Sequence, residues 1–382
     1  MPVRFIHFSD SHLGFIDYTS DDYTVQKARE EDAYKTVDLV IDHAIKTKPD
    51  FVLHTGDFFH RPSPYNKAIV RAASQFKRLS AAGIPFYMIA GNHDLPRLDD
   101  SHSIHPLYEM FDGCKVFYDQ KYSVIDCGGY ILHALPHINF DDDFRTEIGK
   151  IGVSDSSKPN ILMMHLSMPH GFYKEEELGG GNFPAEKLGL LKEFDYVALG
   201  HWHRYNHLAK YGNVCYSGST ERINSGETDH AKGFVEVEIN GKGTGIKFIE
   251  LPTREYLIIN VNNYSSKSKD EILNEISKAV AGRNLSEILV KVNFDNVPSE
   301  RYYEIMRENV LEMTGAVLEL KLLKKRVGEA IAFNASGNES VLDRLLGDLR
   351  SNITDDAVYS KFEALTKQLY EDILTNEGTN AH

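Results

Sequence analysis

The amino-acid sequence predicts an α/β protein built on two sheets, followed by a smaller α/β domain and a terminal pair of helices. Three observations carry this prediction. Short apolar runs that end in polar clusters recur through the first half, helical patterns separate the early runs, and closely spaced short strands follow residue 121. With about 150 residues per domain as a guide, the 382 residues suggest two or three domains.

Five apolar runs in the first half predict buried strands. They are residues 3–8, 51–54, 85–90, 161–164 and 196–199. The runs are short and are flanked by Gly, Asp and Asn, which favours strands over helices. Helical patterns run from Ala33 to Ala44 and from Ile69 to Ser80. Strand therefore alternates with helix, as expected for a parallel βαβ sheet.

A second, mixed sheet packed on the first is predicted between residues 121 and 252. Short strands with Gly-rich turns are expected there at residues 122–125, 130–135, 213–217, 233–239 and 245–251. Residues 1–252 are therefore predicted to form one domain.

The last third of the chain predicts a separate small α/β domain at residues 253–326. Its strands are expected at 256–261, 288–294 and 317–323, and its helices at 269–281 and 299–313. Residues 327–338 are rich in Gly, Ala, Ser and Asn and predict a linker. Two helices are expected within 339–376. The second carries an apolar stripe at Val358, Phe362, Leu365, Leu369 and Ile373.

Composition excludes some functions. The net charge of −14 argues against a generic nucleic-acid coat, which would be strongly basic, but it leaves local basic patches possible. No signal peptide and no apolar run long enough to cross a membrane are found in the sequence. The three cysteines lack CxxC spacing, which suits reduced thiols in the cytoplasm.

The predicted strands end in residues that can bind metals. Because the carboxyl ends of parallel strands share one edge of a sheet, these side chains are expected to meet there. All but one of the 17 histidines lie between His7 and His230. The residues at the five strand ends are Asp10 and His12, Asp57, Asn92 with His93, His165, and His201 with His203.

These ligand types suit borderline divalent cations such as manganese, iron or zinc, and the lack of thiolates argues against a structural zinc site. One carboxylate can bridge two cations about 4 Å apart, an arrangement that serves phosphoryl transfer. Each motif alone is weak, since Asp-x-His is usually structural and a lone His165 would usually be a hydrogen-bonded core residue. Five such motifs at five strand ends form a strong signal.

The motif set resembles that of the calcineurin-like metallophosphoesterase superfamily. It comprises Asp10-x-His12, Gly56-Asp57, Gly91-Asn92-His93-Asp94, His165 and Gly200-His201-x-His203. This resemblance covers residues 3–250 and implies a four-layer α/β/β/α sandwich with a dinuclear site. Within the superfamily the chain is similar to SbcD-type nucleases of DNA double-strand break repair. Supporting stretches are residues 9–14, 57–60, 195–203 and 218–222.

The resemblance also implies the site chemistry. One metal would be held by Asp10, His12, Asp57 and His203. The other would be held by Asp57, Asn92, His165 and His201, with Asp57 bridging. Two Mn²⁺ ions are expected, with Mg²⁺, Fe²⁺ or Zn²⁺ as substitutes, and a metal-bridging hydroxide would attack the phosphodiester.

Two further histidines receive catalytic roles from the resemblance. His93 would face the scissile phosphate and protonate the leaving oxygen, a role that suits imidazole. His60 would position His93, although a surface histidine beside Arg61 is the alternative for this residue.

DNA contacts are predicted at basic residues that flank the motifs, with scattered solvated charges as the equally weighted alternative. They are Arg61, Lys67, Arg97, Arg204 and Arg222. By resemblance, residues 66–79 and 104–111 would form a homodimer interface; packing onto the parent domain is the alternative.

The family resemblance implies a 3′→5′ exonuclease on duplex ends and an endonuclease on single-stranded DNA. Residues 253–326 would cap the DNA, and the terminal helices would bind the coiled coil of an SbcC-type, SMC-like ATPase. The competing interpretations are a small-molecule or cyclic-nucleotide phosphodiesterase and a non-enzymatic scaffold. A small-molecule enzyme would not need the C-terminal third, and the complete ligand set argues against a scaffold. The protein is expected to act in the cytoplasm or nucleoid, or in the nucleus if eukaryotic.

Overall fold

The computed structural model describes residues 2–16, 23–96, 103–155, 157–169, 181–314, 317–326, 350, 359–363 and 365–367. Residues 1–325 form one compact unit and residues 326–382 form a second.

The elements of the described residues follow one another along the chain. They are β1 (Val3–Phe8), α1 (Tyr23–Thr47), β2 (Phe51–Thr55), α2 (Asn66–Ala81), β3 (Phe86–Ile89), β4 (Cys114–Phe117), β5 (Ser123–Asp126), β6 (Ile131–Leu135), α3 (Asp141–Ile148), β7 (Asn160–His165), β8 (Tyr196–Gly200), β9 (Asn206–His207), β10 (Val214–Tyr216), β11 (Gly233–Asn240), β12 (Gly243–Glu250), β13 (Tyr256–Val261), α4 (Lys269–Val280), β14 (Leu289–Val297), α5 (Arg307–Thr314) and β15 (Glu319–Arg326).

The first sheet has the order β12-β11-β1-β2-β3-β4, and its strands β1 to β4 are parallel. The prediction that residues 233–239 and 245–251 belong to the second sheet was wrong. They form the hairpin β11–β12, and β11 pairs antiparallel with β1, with Val235 opposite His7. The alternation of an antiparallel hairpin shows which face is buried but not which sheet edge it extends.

The second sheet has the order β5-β6-β7-β8-β10-β9, with β6, β7, β8 and β10 parallel. Alternate residues along β7 enter two different apolar clusters. Ile161 and Met163 pack between the two sheets, whereas Leu162 and Met164 pack on the outer face of the second sheet. Helices α1 and α2 cover the outer face of the first sheet. This layering confirms the predicted four-layer α/β/β/α sandwich.

The three-stranded sheet β13-β14-β15 has its own apolar cluster with α4 and α5. Helix α4 starts at a capping box between Ser268 and Glu271. The single helix expected at residues 299–313 was wrong, because a 3-10 helix at Ser299–Arg301 precedes α5. The Asn309 side chain accepts a hydrogen bond from the Met306 N–H, so side-chain bonding competes with a continuous helix here.

The predicted linker at 327–338 and most of the predicted helix pair at 339–376 lie outside the described residues. Within the second unit, residues 359–363 and 365–367 are helical, and Glu363 pairs with Lys367 at 2.7 Å. Over the described part of the chain, none of the helices combines the length and apolar character needed to span a bilayer.

Candidate metal centre

The loops that follow β1 and β2 bring the first two motifs together. The Asp10 N–H donates to the Gly56 carbonyl and the His12 N–H donates to the Asp57 carbonyl, both at 3.0 Å. These bonds continue the parallel pairing of β1 with β2 beyond the strand ends. The first and second motifs are therefore fixed relative to each other by main-chain contacts.

Two glycines permit the close approach of the ligands. A Cβ atom on Gly91 would lie 2.2 Å from Asp57 Oδ1, and one on Gly56 would lie 2.3 Å from His165 Nδ1. Gly56 also has a φ of +94°, which favours glycine. No side chain would fit at either position, so the second and third motifs both require their glycine.

Four ligand candidates have a left-handed backbone. The φ angles are 50° at Asp10, 45° at His12, 55° at Asp57 and 97° at His201. Such conformations cost on the order of 1–3 kcal/mol for non-glycine residues and persist where surrounding contacts hold them. Their concentration here indicates that the fold aims these side chains at one place.

One cluster is formed by Asp10, His12 and His203, whose candidate ligand atoms lie within 4.8 Å of one another. The Nε2 atoms of His12 and His203 are 3.1 Å apart, and His203 Nε2 is 3.9 Å from Asp10 Oδ1. His12 Nε2 also lies 3.8 Å from Asp57 Oδ2.

A second cluster includes Asp57 and shares Asp10 with the first, since the candidate ligand atoms of Asp10, Asp57 and His165 lie within 4.8 Å of one another. His165 Nε2 is 3.4 Å from Asp57 Oδ2, and both His165 Nε2 and His201 Nδ1 lie 3.1 Å from Asn92 Oδ1. Asp57 therefore contacts histidines of both clusters. The other six predicted metal ligands come together around it.

The donor set fits two divalent cations. It consists of imidazole nitrogens, carboxylate oxygens and an amide oxygen, the ligands that borderline divalent metals accept. Asp10 and Asp57 are buried, and among the described residues their ion pairs involve histidines only. Buried carboxylates without Lys or Arg partners favour cation binding.

Burial and neighbouring charges shift the pKa values of the site in opposite directions. Burial lowers the pKa of His201 to about 3 and that of His12 well below its usual value. Burial also opposes protonation of His165, but Asp57 and Asp10 raise its pKa to about 9. Burial acts to raise the pKa of Asp57, yet His165 and His12 hold it well below its usual range. Asp57 is therefore ionised at neutral pH.

His93 stands beside the two clusters. Its main-chain N–H donates to Asp57 Oδ1 at 2.8 Å, and its Nδ1 donates to the His60 main-chain carbonyl at 3.0 Å. The rings of His93 and His60 stack, with centroids 5.3 Å apart. The His60 side chain contacts His12, with the two Nδ1 atoms 3.3 Å apart. The hydrogen bond between His60 and His93 thus uses the main chain of His60.

The comparison with known proteins decides the family. A family model described as calcineurin-like phosphoesterase matches residues 3–205, more than half of the chain. The chain belongs to the calcineurin-like phosphoesterase family. The resemblance seen in the motifs is thereby confirmed.

Three curated relatives of this phosphoesterase are described as DNA double-strand break repair protein Mre11. The protein from Methanocaldococcus jannaschii is 29% identical over 325 residues, which cover 81% of each chain. The one from Sulfurisphaera tokodaii is 29% identical over 72% of this chain and 69% of its own. The one from Methanococcus maripaludis is 26% identical over 97% of each chain.

Asp94 connects two motifs of the phosphoesterase in a way that sequence reasoning missed. Its buried carboxylate accepts hydrogen bonds from the main-chain N–H groups of Gly91, Phe58 and Phe59 at 2.8–3.1 Å. Burial and the charge of Asp57 raise its pKa to about 6. The signal was available in the sequence, since Asp94 closes the Gly-Asn-His-Asp motif.

Glu227 and Lys232 were also missed. His203 Nδ1 donates to Glu227 Oε1 at 2.9 Å, and Lys232 Nζ donates to Glu227 Oε2 at 2.6 Å. Neither residue belongs to a motif quoted above, and Glu227 lies 24 residues after His203. No spacing rule predicts this contact.

The predicted DNA-contacting residues differ in their surroundings. Lys67 pairs with Glu30 and Glu31. The Arg222 guanidinium donates to Thr253 Oγ1 and to the Arg254 carbonyl, so it is engaged inside the protein. Of the other predicted contacts, Arg204 is exposed and Arg61 stacks on the ring of Tyr65. Arg97 lies outside the described residues.

Proposed function

We propose that this phosphoesterase is a nuclease of DNA double-strand break repair that uses two divalent cations. The observation that carries the proposal is the convergence of six candidate ligands around a seventh, Asp57, which contacts histidines of both clusters. The relatives described as Mre11 extend over most of this chain and support DNA as the substrate.

The chain's own residues supply the binding and proton transfer in this proposal. Asp10, His12 and His203 would hold one cation, with Asn92, His165 and His201 holding the other and Asp57 shared. When bound, the cations would neutralise charge on the phosphodiester and lower the pKa of a bound water molecule.

His93 would act as the general acid for the leaving oxygen. Its Nδ1 is occupied by the His60 carbonyl, which leaves Nε2 as the nitrogen available to a substrate. The main-chain bond from His93 to Asp57 Oδ1 fixes the distance between this acid and the metal ligands.

A cavity beside the site supports an extended substrate. Its volume is about 550 Å³, and it lies between the loops that carry Phe15 and His60 and the three-stranded sheet. Lys291 and Lys321 line it from the sheet. The predicted domain at 253–326 would therefore contact a polymer whose phosphate lies at the metal centre.

The finer activities follow the family resemblance. The proposed reactions are 3′→5′ degradation of duplex ends and cutting of single-stranded DNA with Mn²⁺. The partner would be an SbcC-type coiled-coil ATPase bound by residues 339–376. A chain ending at residue 326 should then lose most of its affinity for such an ATPase; equal affinity of the two chains would contradict the assignment.

The test is a nuclease assay on linear duplex and single-stranded DNA with Mn²⁺, Mg²⁺ or a chelator, alongside bis(p-nitrophenyl) phosphate. H93Q should lose 100-fold or more in rate while its metal content is unchanged, because only proton transfer is removed. D57N should lose both metals. H207Q, at an exposed histidine in β9, serves as the control.

Hydrolysis of bis(p-nitrophenyl) phosphate with no cleavage of DNA would favour the small-molecule phosphodiesterase instead. Loss of metal from H93Q would make His93 a ligand and contradict its role as an acid.

A further inference from the structure

A buried carboxylate lies directly behind one of the candidate metal ligands. Glu227 is in the 3-10 helix Ser225–Glu227, and its Oε1 accepts a hydrogen bond from His203 Nδ1 at 2.9 Å. The opposite nitrogen of the same ring, Nε2, belongs to the cluster with Asp10 and His12. One imidazole thus joins Glu227 to the metal centre.

Lys232 fixes this carboxylate from the other side. Its side chain is fully buried, and its Nζ donates to Glu227 Oε2 at 2.6 Å. The same ammonium donates to the His203 carbonyl and to Ser219 Oγ, each at 2.8 Å. Lys232 therefore holds both the carboxylate and the main chain of the histidine that the carboxylate orients.

We infer that Glu227 is a positioning residue that fixes the proton of His203 on Nδ1 and thereby presents the Nε2 lone pair to a divalent cation. The inference rests on the dinuclear site proposed above. Carboxylates that accept the second ring N–H of a metal-binding histidine orient the ring and increase its basicity, and removing them typically weakens metal binding 10–100-fold.

The arrangement is specific to one of the two metal clusters. His165, in the other cluster, donates its Nδ1 proton to the main-chain carbonyl of Thr55 at 2.7 Å. A side-chain substitution cannot remove that carbonyl. Loss of the Glu227 carboxylate should therefore weaken the binding of one cation and leave the affinity for the other nearly unchanged.

Glutamine at position 227 gives a sharp test of the tautomer. The Glu227 carboxylate accepts from His203 and Lys232 at once, at Oε1 and Oε2 respectively. Oε1 also accepts from Asn224 Nδ2, and Oε2 also accepts from the Ile223 N–H. A glutamine has only one oxygen, and Lys232 requires it because an ammonium can only donate. The amide NH₂ of E227Q would then face His203 Nδ1 and favour the tautomer with its proton on Nε2.

The first experiment is calorimetric titration of metal-free protein with Mn²⁺. E227Q should bind one of two Mn²⁺ ions 10–100-fold more weakly. E236Q is the matched control, since Glu236 accepts from His43 Nε2 at 2.7 Å, both residues lie outside the metal clusters, and both affinities should be unchanged. If both Mn²⁺ affinities of E227Q lie within twofold of the wild-type values, the inference is overturned.

The second experiment reads the tautomer without metal or turnover. Long-range ¹H–¹⁵N NMR of ¹⁵N-histidine-labelled protein, with H203N to assign the signal, should show the His203 proton on Nδ1 in the wild type and on Nε2 in E227Q. An unchanged tautomer would overturn the inference. In the H203N background, E227Q should cause no further loss of Mn²⁺ affinity, since Glu227 acts through His203.

Two outcomes separate this inference from the proposed function. Wild-type protein that binds no Mn²⁺ would overturn both, whereas wild-type protein with two Mn²⁺ sites and an unaffected E227Q variant would overturn only the role of Glu227. If E227Q does not fold, E227D retains the charge for Lys232 but retracts the carboxylate from His203, and the same loss at one site is expected.

Discussion

Asp94 shows how one side chain stabilises the site without entering the metal clusters. Its carboxylate accepts hydrogen bonds from three main-chain N–H groups in the loops after β2 and β3. In D94A these buried donors lose their acceptor, and each unsatisfied donor costs about 1–3 kcal/mol. The free energy of unfolding should fall by on the order of 3 kcal/mol in urea titrations.

The control for D94A is D126A. Asp126 is exposed and accepts from the Gly128 N–H at 2.8 Å, where water can replace the lost acceptor. A far smaller change is therefore expected. Equal destabilisation by the two substitutions would contradict the role assigned to Asp94.

Burial of His7 makes the free energy of unfolding depend on pH. It is fully buried in β1, and its ring nitrogens lie 2.9 Å from Tyr196 Oη and Thr55 Oγ1. Burial lowers its pKa from 6.5 to about 3, so below pH 6.5 the unfolded state binds a proton that the folded state does not. Its contribution is complete above pH 6.5 and is lost as the pH falls toward 3.

Comparison of the wild type with H7Q isolates this contribution. Between pH 7 and pH 4.5 the wild type should lose on the order of 2 kcal/mol more of its free energy of unfolding than H7Q. Urea titrations at both pH values measure it, with H207Q following the wild type. Parallel losses in the wild type and H7Q would show that His7 protonates equally in both states.

Residue types at strand ends were predictable, whereas contacts behind them were not. Asp10, Asp57 and His165 follow apolar runs, and the shared edge of a parallel sheet brings them together. Glu227 reaches His203 only because the segment between β10 and β11 folds back over the loop after β8. No local periodicity encodes that return.

At the scale of elements, the runs that form buried strands were predicted well, but pairing partners were not. Strands β1, β2, β3, β7 and β8 fall on apolar runs because both of their faces are buried. In the hairpin β11–β12, buried and exposed residues alternate because one face is exposed. This alternation does not predict which strand the hairpin pairs with. Its place beside β1 depends on tertiary packing.

Helix α2 carries an exposed apolar residue that supports the predicted homodimer. Val70 is 67% exposed, and Met110 of the 3-10 helix His105–Met110 is 79% exposed. If these faces pack against a second copy, V70E would bury a charge without a partner and weaken the dimer by about tenfold or more. Analytical ultracentrifugation over a concentration series measures the dimer dissociation constant.

V124E is the matched control, since Val124 in β5 is 42% exposed and lies outside the predicted interface. It should dimerise like the wild type. A wild-type protein that stays monomeric at tens of micromolar, or equal dissociation constants for the two variants, would contradict the predicted interface.

At the scale of the whole molecule, the net charge of −14 must be reconciled with a DNA substrate. Residues 327–382 hold 10 acidic and 4 basic residues and account for −6 of that charge. The predicted nuclease and capping domains are therefore less acidic than the whole chain. Lys67 and Arg222, two of the predicted DNA contacts, are already engaged with protein groups.

These charges predict that the isolated protein binds DNA weakly and with little dependence on salt. Because two of the predicted contacts already bind protein groups, few counterions should be released, so the slope of log K against log salt should be shallower than about −4. Fluorescence anisotropy with a duplex oligonucleotide measures it, using H93Q to prevent cleavage. Mn²⁺ should strengthen binding in H93Q, because the cations would supply positive charge where the phosphate lies.

The response to Mn²⁺ should vanish when D57N is added to H93Q, because Asp57 is shared by the two proposed metal positions. Nanomolar affinity without divalent cations, together with a steep salt slope, would contradict this account. Such a result would mean that a basic surface on the protein itself, and not the metal centre, dominates the contact with DNA.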